Sequence, residues 1–489
     1  MGEISKDSLK TKLLQLECHF TWGLLKDDSD LNDLEDRLHD QIEILFPNCR
    51  SMVYNLLAYV NHLKGNNDEA LANLQKAEEL IQEVQDDDIS KKIITTYGNY
   101  AWIYYDMDQL ENANTYLGKV EDICKMLLST SPYKVPVSDV YGEKGWALLK
   151  FCGQYYEKAK ECFQKALEKD PEGPEWNSGY ATAVYCLKGI NNKQCTQEDC
   201  ESVELLRRAI KLNPKDTVLM ALLGLKLQDM NRSEEGEKYI KEALEKTPNL
   251  PYLLRYAAKF YRRQGMVDEA IKLLKRAVSF TPLSGFLHHQ LGICYKKKMI
   301  ELKKNTHASR SKYSARDDFS KQIQELIWYA IYHFVFVVEQ TTKFVYAKID
   351  LANMYVEANQ HDKAENMFQE MLKMEKLTDV EKQEIYLSCG QYEEYHKKSE
   401  SEAIRYYTAG LRLQTGKFAK DLCQRALQKL AERKIQRKGA DASGFGILGL
   451  VHQLNGEKKE AIECYERALE LDPDNEEYLR GLCNMRLSI

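Results

Sequence analysis

Three prolines, Pro214, Pro248 and Pro282, stand 34 residues apart, and their neighbours repeat with them. An alanine precedes each by five residues (Ala209, Ala243, Ala277), and a bulky apolar residue precedes each by eight (Leu206, Ile240, Leu274). The same register recurs as Phe163/Ala166/Pro171 and Tyr465/Ala468/Pro473, so five of the ten prolines share one slot. Proline lacks a backbone N–H and stops a helix, while a small residue lets two helices cross closely. Such a period restricts the chain to stacked copies of one unit, each burying its apolar face against the next.

A 34-residue period with a small residue, a bulky residue and a terminal proline in fixed register is the signature of the tetratricopeptide helix pair. The first helix of each unit carries a large-small pair such as Leu223/Gly224 or Ala257/Ala258, followed by Leu227 or Tyr261. The same grammar runs from Tyr54 to Ala77, Tyr97 to Val120, Lys348 to Met371 and Phe445 to Ala468, with degenerate copies at 136–171, 283–340 and 383–413. Alternating apolar/polar runs bounded by turn residues are almost absent, which leaves little for strands. The expected fold is all-α, a tetratricopeptide superhelical solenoid of about nine or ten helix pairs. Regularity breaks at Lys188–Glu201, Asn305–Asp318 and Lys434–Ser443, read as loops or excursions, and long helices on both sides of the second break would join two half-solenoids. Four parts are expected: an N-terminal repeat subdomain (1–135), a central one lining a groove (136–282), a long-helix pivot with a basic insertion (283–340), and a C-terminal repeat subdomain with a basic tract (341–489).

With 44% hydrophobic and 29% charged residues the chain reads as soluble, and no run approaches the roughly 18 apolar residues that span a bilayer. The segment Met-Gly-Glu-Ile-Ser-Lys-Asp has no signal-like pattern, so a cytoplasmic address and no membrane partner are expected. Thirteen cysteines without framework spacing read as reduced thiols. A net charge of −6 excludes a uniformly basic coat, yet Lys296–Arg316 holds eight Lys/Arg against one acid and Lys417–Lys438 eight against two.

Several motifs point nowhere. Gly444-Phe-Gly446-Ile-Leu-Gly449 spells a dinucleotide fingerprint, but it lies inside a repeat helix and lacks the strand that should precede it. Cys195 and Cys200 have no second Cys or His pair close in sequence to complete a zinc site. His288 and His289 are adjacent and so point about 100° apart on a helix. No nucleophile elbow, Walker loop or His-Glu-x-x-His appears. No metal, no cofactor and no catalytic residue is expected.

In a tetratricopeptide pair the first helix lines the concave groove. With Leu254, Ala257, Ala258 and Tyr261 as packing residues, the inward stripe of that unit is Tyr252, Arg255, Lys259 and Arg262, three cations and a ring on one helical face. The next unit offers Phe286, His289 and Lys296, and a further one Tyr346 with Phe344 beside it. Cations with interleaved rings suit single-stranded nucleic acid, phosphates meeting Lys/Arg and bases stacking on aromatics. The same stripe suits the acidic tail of a peptide partner, the kind of ligand such grooves generally hold.

Cys18-His-Phe-Thr-Trp22, Tyr54-Asn-Leu-Leu-Ala-Tyr59, Gly145-Trp-Ala-Leu-Leu-Lys150, Arg255-Tyr-Ala-Ala-Lys-Phe-Tyr-Arg-Arg263 and Leu287-His-His-Gln290 resemble, in their order, the blocks of the interferon-induced proteins with tetratricopeptide repeats. The resemblance implies a cytoplasmic antiviral effector whose basic tunnel takes the 5′ end of foreign single-stranded RNA, triphosphorylated or incompletely methylated at the cap, and inhibits its translation without hydrolysing it. By the same resemblance the tunnel residues fall on Arg37, Gln41, Trp146, Lys150, Tyr156, Tyr252, Arg255, Tyr256, Arg262, Phe286, His289 and Gln290, with Lys420, Arg425 and Lys429 extending the RNA path. Tyr465-Glu-Arg-Ala-Leu469 resembles a segment through which relatives pair by their C-terminal repeats. Translation initiation factors are further partners that the family suggests, and a scaffold acting through proteins alone is the competing function.

The chain departs from the family at marked places. Triphosphate-binding members carry an arginine where this chain has Cys186, with Lys188 two residues on, and the cap-binding pattern of Asn and Tyr is replaced by Asp216 and Val218. One charge-assisted phosphate contact fewer corresponds to about 10- to 150-fold in affinity.

Overall fold

In the computed structural model, residues 5–29, 31–42, 47–83, 89–191, 197–308, 313–341, 344–375, 377–413, 417–437 and 441–487 are described, and their regular structure is entirely helical. The repeat register accounts for how these helices end. All five slot alanines are fully buried, and their bulky partners Phe163, Leu206, Ile240, Leu274 and Tyr465 are at most 3% exposed. Each slot alanine also terminates its helix in the same way. The N–H groups of Asp170, Asn213, Thr247, Thr281 and Asp472 donate to the carbonyls of Ala166, Ala209, Ala243, Ala277 and Ala468 at 2.8–3.1 Å, and the proline follows each donor directly.

The other turn of the hairpin, between its two helices, has its own device. Gly65, Asp108, Asn231, Gly265, Asn359 and Gly456 adopt φ between 57° and 87°. The next N–H reaches back across the turn, as from Arg232 to the Leu227 carbonyl at 2.8 Å and from Met266 to that of Tyr261 at 2.9 Å. Gly, Asn and Asp are the residues that enter this left-handed region at least cost, so the sequence punctuates both ends of each hairpin. Where the helices cross, space is minimal: a Cβ on Gly236 would meet the Gly224 carbonyl oxygen at 2.5 Å.

The chain forms two compact units, Met1–Cys294 and Tyr295–Ile489. Among the described residues the first contains six helix pairs, beginning with Pro47–Lys64 and Asn67–Glu83 and ending with Pro251–Arg263 and Val267–Phe280. The second contains three, Val345–Glu357 with His361–Leu372, Asp379–Tyr392 with Glu400–Arg412, and Ala442–Asn455 with Lys458–Leu471, and places the single helix Lys417–Arg437 between the last two. The long helices expected on either side of the second break are present, Gly285–Ala308 and Tyr313–Gln340, and the boundary between units falls within the first of them.

The three expected loops are shorter than the sequence suggested. Helix continues to Asn191 and resumes at Gln197, continues to Ala308 and resumes at Tyr313, and runs through most of the C-terminal basic tract to Arg437. Cys195 lies outside the described residues, and Cys200 is an exposed thiol. Gly444, Gly446 and Gly449 all sit inside Ala442–Asn455, where Cβ atoms would collide with Ile435, Tyr478 and Tyr465 at 2.6, 2.2 and 2.8 Å. They are helix-crossing glycines. Among the described residues no helix is long and apolar enough to cross a membrane.

Candidate nucleic-acid interface

Within the first unit the leading helices of successive hairpins turn one face toward a common cavity of about 880 Å³. Helical spacing decides which residues reach it. From Ser138–Phe151 come Glu143, Trp146 and Lys150, three and four residues apart, and from Pro174–Asn191 come Glu175, Ser178, Thr182 and Cys186 at the same steps. Leu31–Ile42 supplies Arg37 and Gln41 one turn apart, because Leu34 and Leu38 on its other face are fully buried in the core. Pro251–Arg263 contributes Tyr252, Arg255 and Tyr256, and Tyr156 and Phe286 complete the aromatic lining.

Arg255 is held by three aromatic rings and a hydroxyl. Its guanidinium carbon lies 4.1 Å from the ring centroid of Tyr252, 4.5 Å from Phe286 and 4.8 Å from Tyr256. One Nη donates to the Tyr256 hydroxyl at 3.1 Å, and Tyr252 and Tyr256 meet edge to face at 5.4 Å. The Nε–H is buried without a hydrogen-bond partner among the described residues. Lys150 lies over the Trp146 ring at 5.6 Å, and Trp146 meets Phe163 edge to face at 5.3 Å, which leaves the indole supported from the core side. Arg37 reaches the Lys150 carbonyl at 3.5 Å.

Cations outnumber anions on this lining. Arg37, Lys150, Lys215 and Arg255 face Glu143, Glu175 and Asp216. Burial pushes the Glu143 carboxyl up to about 8, against hydrogen bonds from Asn55 and Thr95 that favour the ionised form, so it is largely neutral at pH 7. Burial raises Asp216 to about 6, opposed by the backbone N–H groups of Leu219 and Val218, and its charge is directed at its own helix N-terminus. Burial also lifts the Tyr156 hydroxyl to about 12, with neighbouring Cys186 and Tyr252 acting in the same sense and Arg37 and Arg255 opposing.

Of the first-unit residues expected from sequence, the cavity gathers Arg37, Gln41, Trp146, Lys150, Tyr156, Tyr252, Arg255, Tyr256 and Phe286. Lys259, Arg262, His289 and Gln290 lie on the same helices outside its lining. Burial, with Arg263 next in effect, lowers the Lys259 ammonium to about 8. Arg262 donates to the Gln290 side-chain oxygen at 2.8 Å, tying the two helices together, and His289 is only 6% exposed. Lys296, read as another inward cation, instead pairs with Asp350 at 2.9 Å.

The remaining expected residues belong to the second unit. Phe344 and Tyr346 meet edge to face at 6.4 Å, and Tyr346 is 40% exposed. Arg425 and Lys429 are exposed one turn apart on Lys417–Arg437, whereas Lys420, nine residues before Lys429, points about 180° away at roughly 100° per residue. The expectation for Tyr465 needs correcting. Its ring is 3% exposed beneath Gly449 and Gly481 and its hydroxyl donates to Gln453 at 2.7 Å, so it is core packing and cannot offer its face to a partner, while Leu469 is half-buried beside it.

Sequence reasoning missed Glu143, Glu175, Ser178, Thr182 and Lys215. The signal for Glu143 was its position three residues before Trp146 and seven before Lys150, on one helical face. Cys186 does line the cavity at the place of the missing family arginine, close to Tyr156 and Arg255, and Lys188 does not line it.

Tetratricopeptide-repeat models match residues 442–475, 50–126 and 221–284. The human antiviral innate immune response effector IFIT1 is 45% identical over 473 residues, covering 96% of this chain and 98% of that protein. Human interferon-induced protein with tetratricopeptide repeats 2 is 38% identical, covering 96% and 97%. Among solved structures, a monomeric IFIT1 mutant with Gppp-AAAA superposes with a TM-score of 0.87 at 44% identity, covering 95% of this chain and all of that one. The human IFIT1 dimer with PPP-AAAA gives 0.81 at 43%, with the same coverage. Sequence, repeat register and superposition agree over nearly the full length: this chain belongs to the interferon-induced proteins with tetratricopeptide repeats.

Proposed function

We propose that this protein is an antiviral effector that holds the 5′ end of foreign single-stranded RNA in the first-unit cavity and withholds that RNA from translation in the cytoplasm. The observation that carries the reading is the lining itself: Arg37, Lys150 and Arg255 together with Trp146, Tyr156, Tyr252, Tyr256 and Phe286 around about 880 Å³. Phosphate oxygens are recognised by forked, charged donors and unpaired bases by ring faces, and both sets of groups meet in one space. Relatives solved with triphosphate and with capped oligonucleotides support the same use of the cavity.

Division of labour follows from chemistry. Arg255, with an unpartnered Nε–H inside an aromatic cage, and Lys150 and Arg37 take terminal phosphates, and Trp146 stacks on the first base or a cap base. Lys259, Arg262, His289 and Gln290 continue the same helical faces beyond the cavity and meet later nucleotides. In the second unit Phe344 and Tyr346 offer rings and Arg425 and Lys429 adjacent cations for RNA, Lys420 lies on the opposite face of their helix, and Leu469 belongs to a surface for pairing with family members, of which IFIT1 has a dimeric form. The site binds and does not cleave.

Electrophoretic mobility shifts with one RNA carrying 5′-triphosphate, 5′-hydroxyl, unmethylated cap or ribose-methylated cap test this. Preference for triphosphate or unmethylated cap over hydroxyl is the expected result. Equal weak binding to all four, with protein partners that persist after nuclease treatment, would instead establish the scaffold function.

A further inference from the structure

Glu143 sits in the cavity wall where a polyanion has to approach, and among the described residues no cation forms an ion pair with it. It is 5% exposed, on the helical face that also carries Trp146 and Lys150. Asn55 Nδ2, from Pro47–Lys64, donates to its Oε1 at 2.8 Å and to Thr96 Oγ1 at 3.1 Å. One more polar atom at this spot, Asn55 Oδ1, is buried without a partner among the described residues. Among the described residues no Lys, Arg or His pairs with Glu143. Asn55 faces it from Pro47–Lys64 and Thr95 from Ile89–Asp106, neither ionisable, and Thr96 bonds the same Asn55 amide; on its own helix Asp139 adds a like charge. The ionisable cavity groups of the other helices that contact this one are Arg37, Tyr156, Glu175 and Cys186, and Lys150 stands on its own helix.

An ionised carboxylate in this place would be buried beside Asp139 and held by the Asn55 amide. A neutral acid has an O–H to give, and the buried Asn55 Oδ1 is an acceptor that lacks a donor. We propose that Glu143 is a specificity-determining residue of the RNA cavity: it accepts the 5′ phosphates only as a neutral acid bonded into the Asn55 network, and its ionisation expels them. Burial, which pushes this carboxyl up to about 8, places the transition just above neutrality. The inference rests on the cavity being the site of the RNA 5′ end.

The test is the affinity of the full-length chain for a 5′-triphosphate oligoadenylate, measured by fluorescence anisotropy from pH 6.5 to 9.5 at constant ionic strength, for wild type and Glu143→Gln. An adenine-only strand keeps base ionisation out of this range. Binding that requires the protonated acid weakens about tenfold between pH 7 and 9 when its pKa lies near 8. Lys259, lowered to about 8, titrates in both proteins, so the difference between the two curves reports Glu143 alone. Expected is a wild-type curve that falls away from that of Glu143→Gln by this factor. Parallel curves overturn the proposal and leave the RNA site standing, whereas no binding at any pH overturns both. Infrared titration of wild type gives a measurement that needs no variant: the midpoint at which the protonated-carboxyl band disappears should move to higher pH with RNA bound, and an unmoved midpoint also overturns it.

Discussion

Replacing Arg255 by Met separates what this side chain does for RNA from what it does for the fold. The guanidinium is held over three rings at 4.1, 4.5 and 4.8 Å with one hydrogen bond to Tyr256, and its Nε–H has no partner among the described residues. In the free protein two effects oppose each other. Cation–π attraction of about 0.5–2 kcal/mol per ring is lost, while the desolvation of a cation and of its unmatched donor is relieved. Methionine keeps an unbranched apolar stem of similar reach and packs favourably against aromatic rings. Unfolding free energy in urea should therefore change by about 1 kcal/mol or less. Binding has no such offset, because the phosphate loses a charge-assisted contact of about 1.5–3 kcal/mol, which is about 10- to 150-fold in Kd for 5′-triphosphate RNA. Arg255→Lys keeps the charge without the planar fork and should recover only part of that loss. The assay is anisotropy with matched triphosphate and hydroxyl oligonucleotides beside urea denaturation. A Met variant that binds triphosphate RNA like wild type refutes the reasoning, as does one whose binding loss is fully explained by unfolding.

Trp146→Ala should weaken binding of a capped oligonucleotide by about 5- to 150-fold, the worth of one stacked base, and that of triphosphate RNA less, measured by competition anisotropy. Gly236→Val should destabilise the protein by about 1–3 kcal/mol in urea, since even a Cβ there meets the Gly224 carbonyl at 2.5 Å. Glu143 binds a proton more tightly folded, with a value near 8, than unfolded, near about 4.3, so wild-type stability should decline as pH rises between those values. Glu143→Gln removes that decline and should gain on wild type by as much as about 5 kcal/mol by pH 8 in denaturation at stepped pH. Lys150→Ala should reduce the slope of log affinity against log salt by about 0.7, the value for one phosphate contact on a single strand.

Much of the fold was legible because few residue types can fill each punctuating slot. Ala209, Ala243 and Ala277 are buried where helices cross, and each carbonyl takes the last helical bond before its proline. The loops at Lys188–Glu201 and Lys434–Ser443 were read too wide because a run of polar and charged residues within a helix looks locally like a loop. Within the site, the stripe Tyr252 and Arg255 followed from helical phase alone, but the same phase also named Lys259, Arg262 and His289, which lie past the rim. A period fixes a face and not the length of that face a cavity uses. Glu143 escaped notice because a carboxylate on a repeat helix is ordinarily solvated, and only packing of Asn55 and Thr95 over it makes it a buried acid. Tyr465 shows the converse: a residue of the recurring bulky slot sits in the core whatever else its neighbours resemble.

The central claim, that the first-unit cavity takes the 5′ end, is tested most directly by a crystal structure of the chain with a short 5′-triphosphate oligonucleotide. The account predicts terminal phosphates within hydrogen-bond reach of Arg255, Lys150 and Arg37, with the first base against Trp146. Well-ordered RNA lying on another surface, with the cavity still open and Arg255 Nε–H still unpartnered, would contradict it.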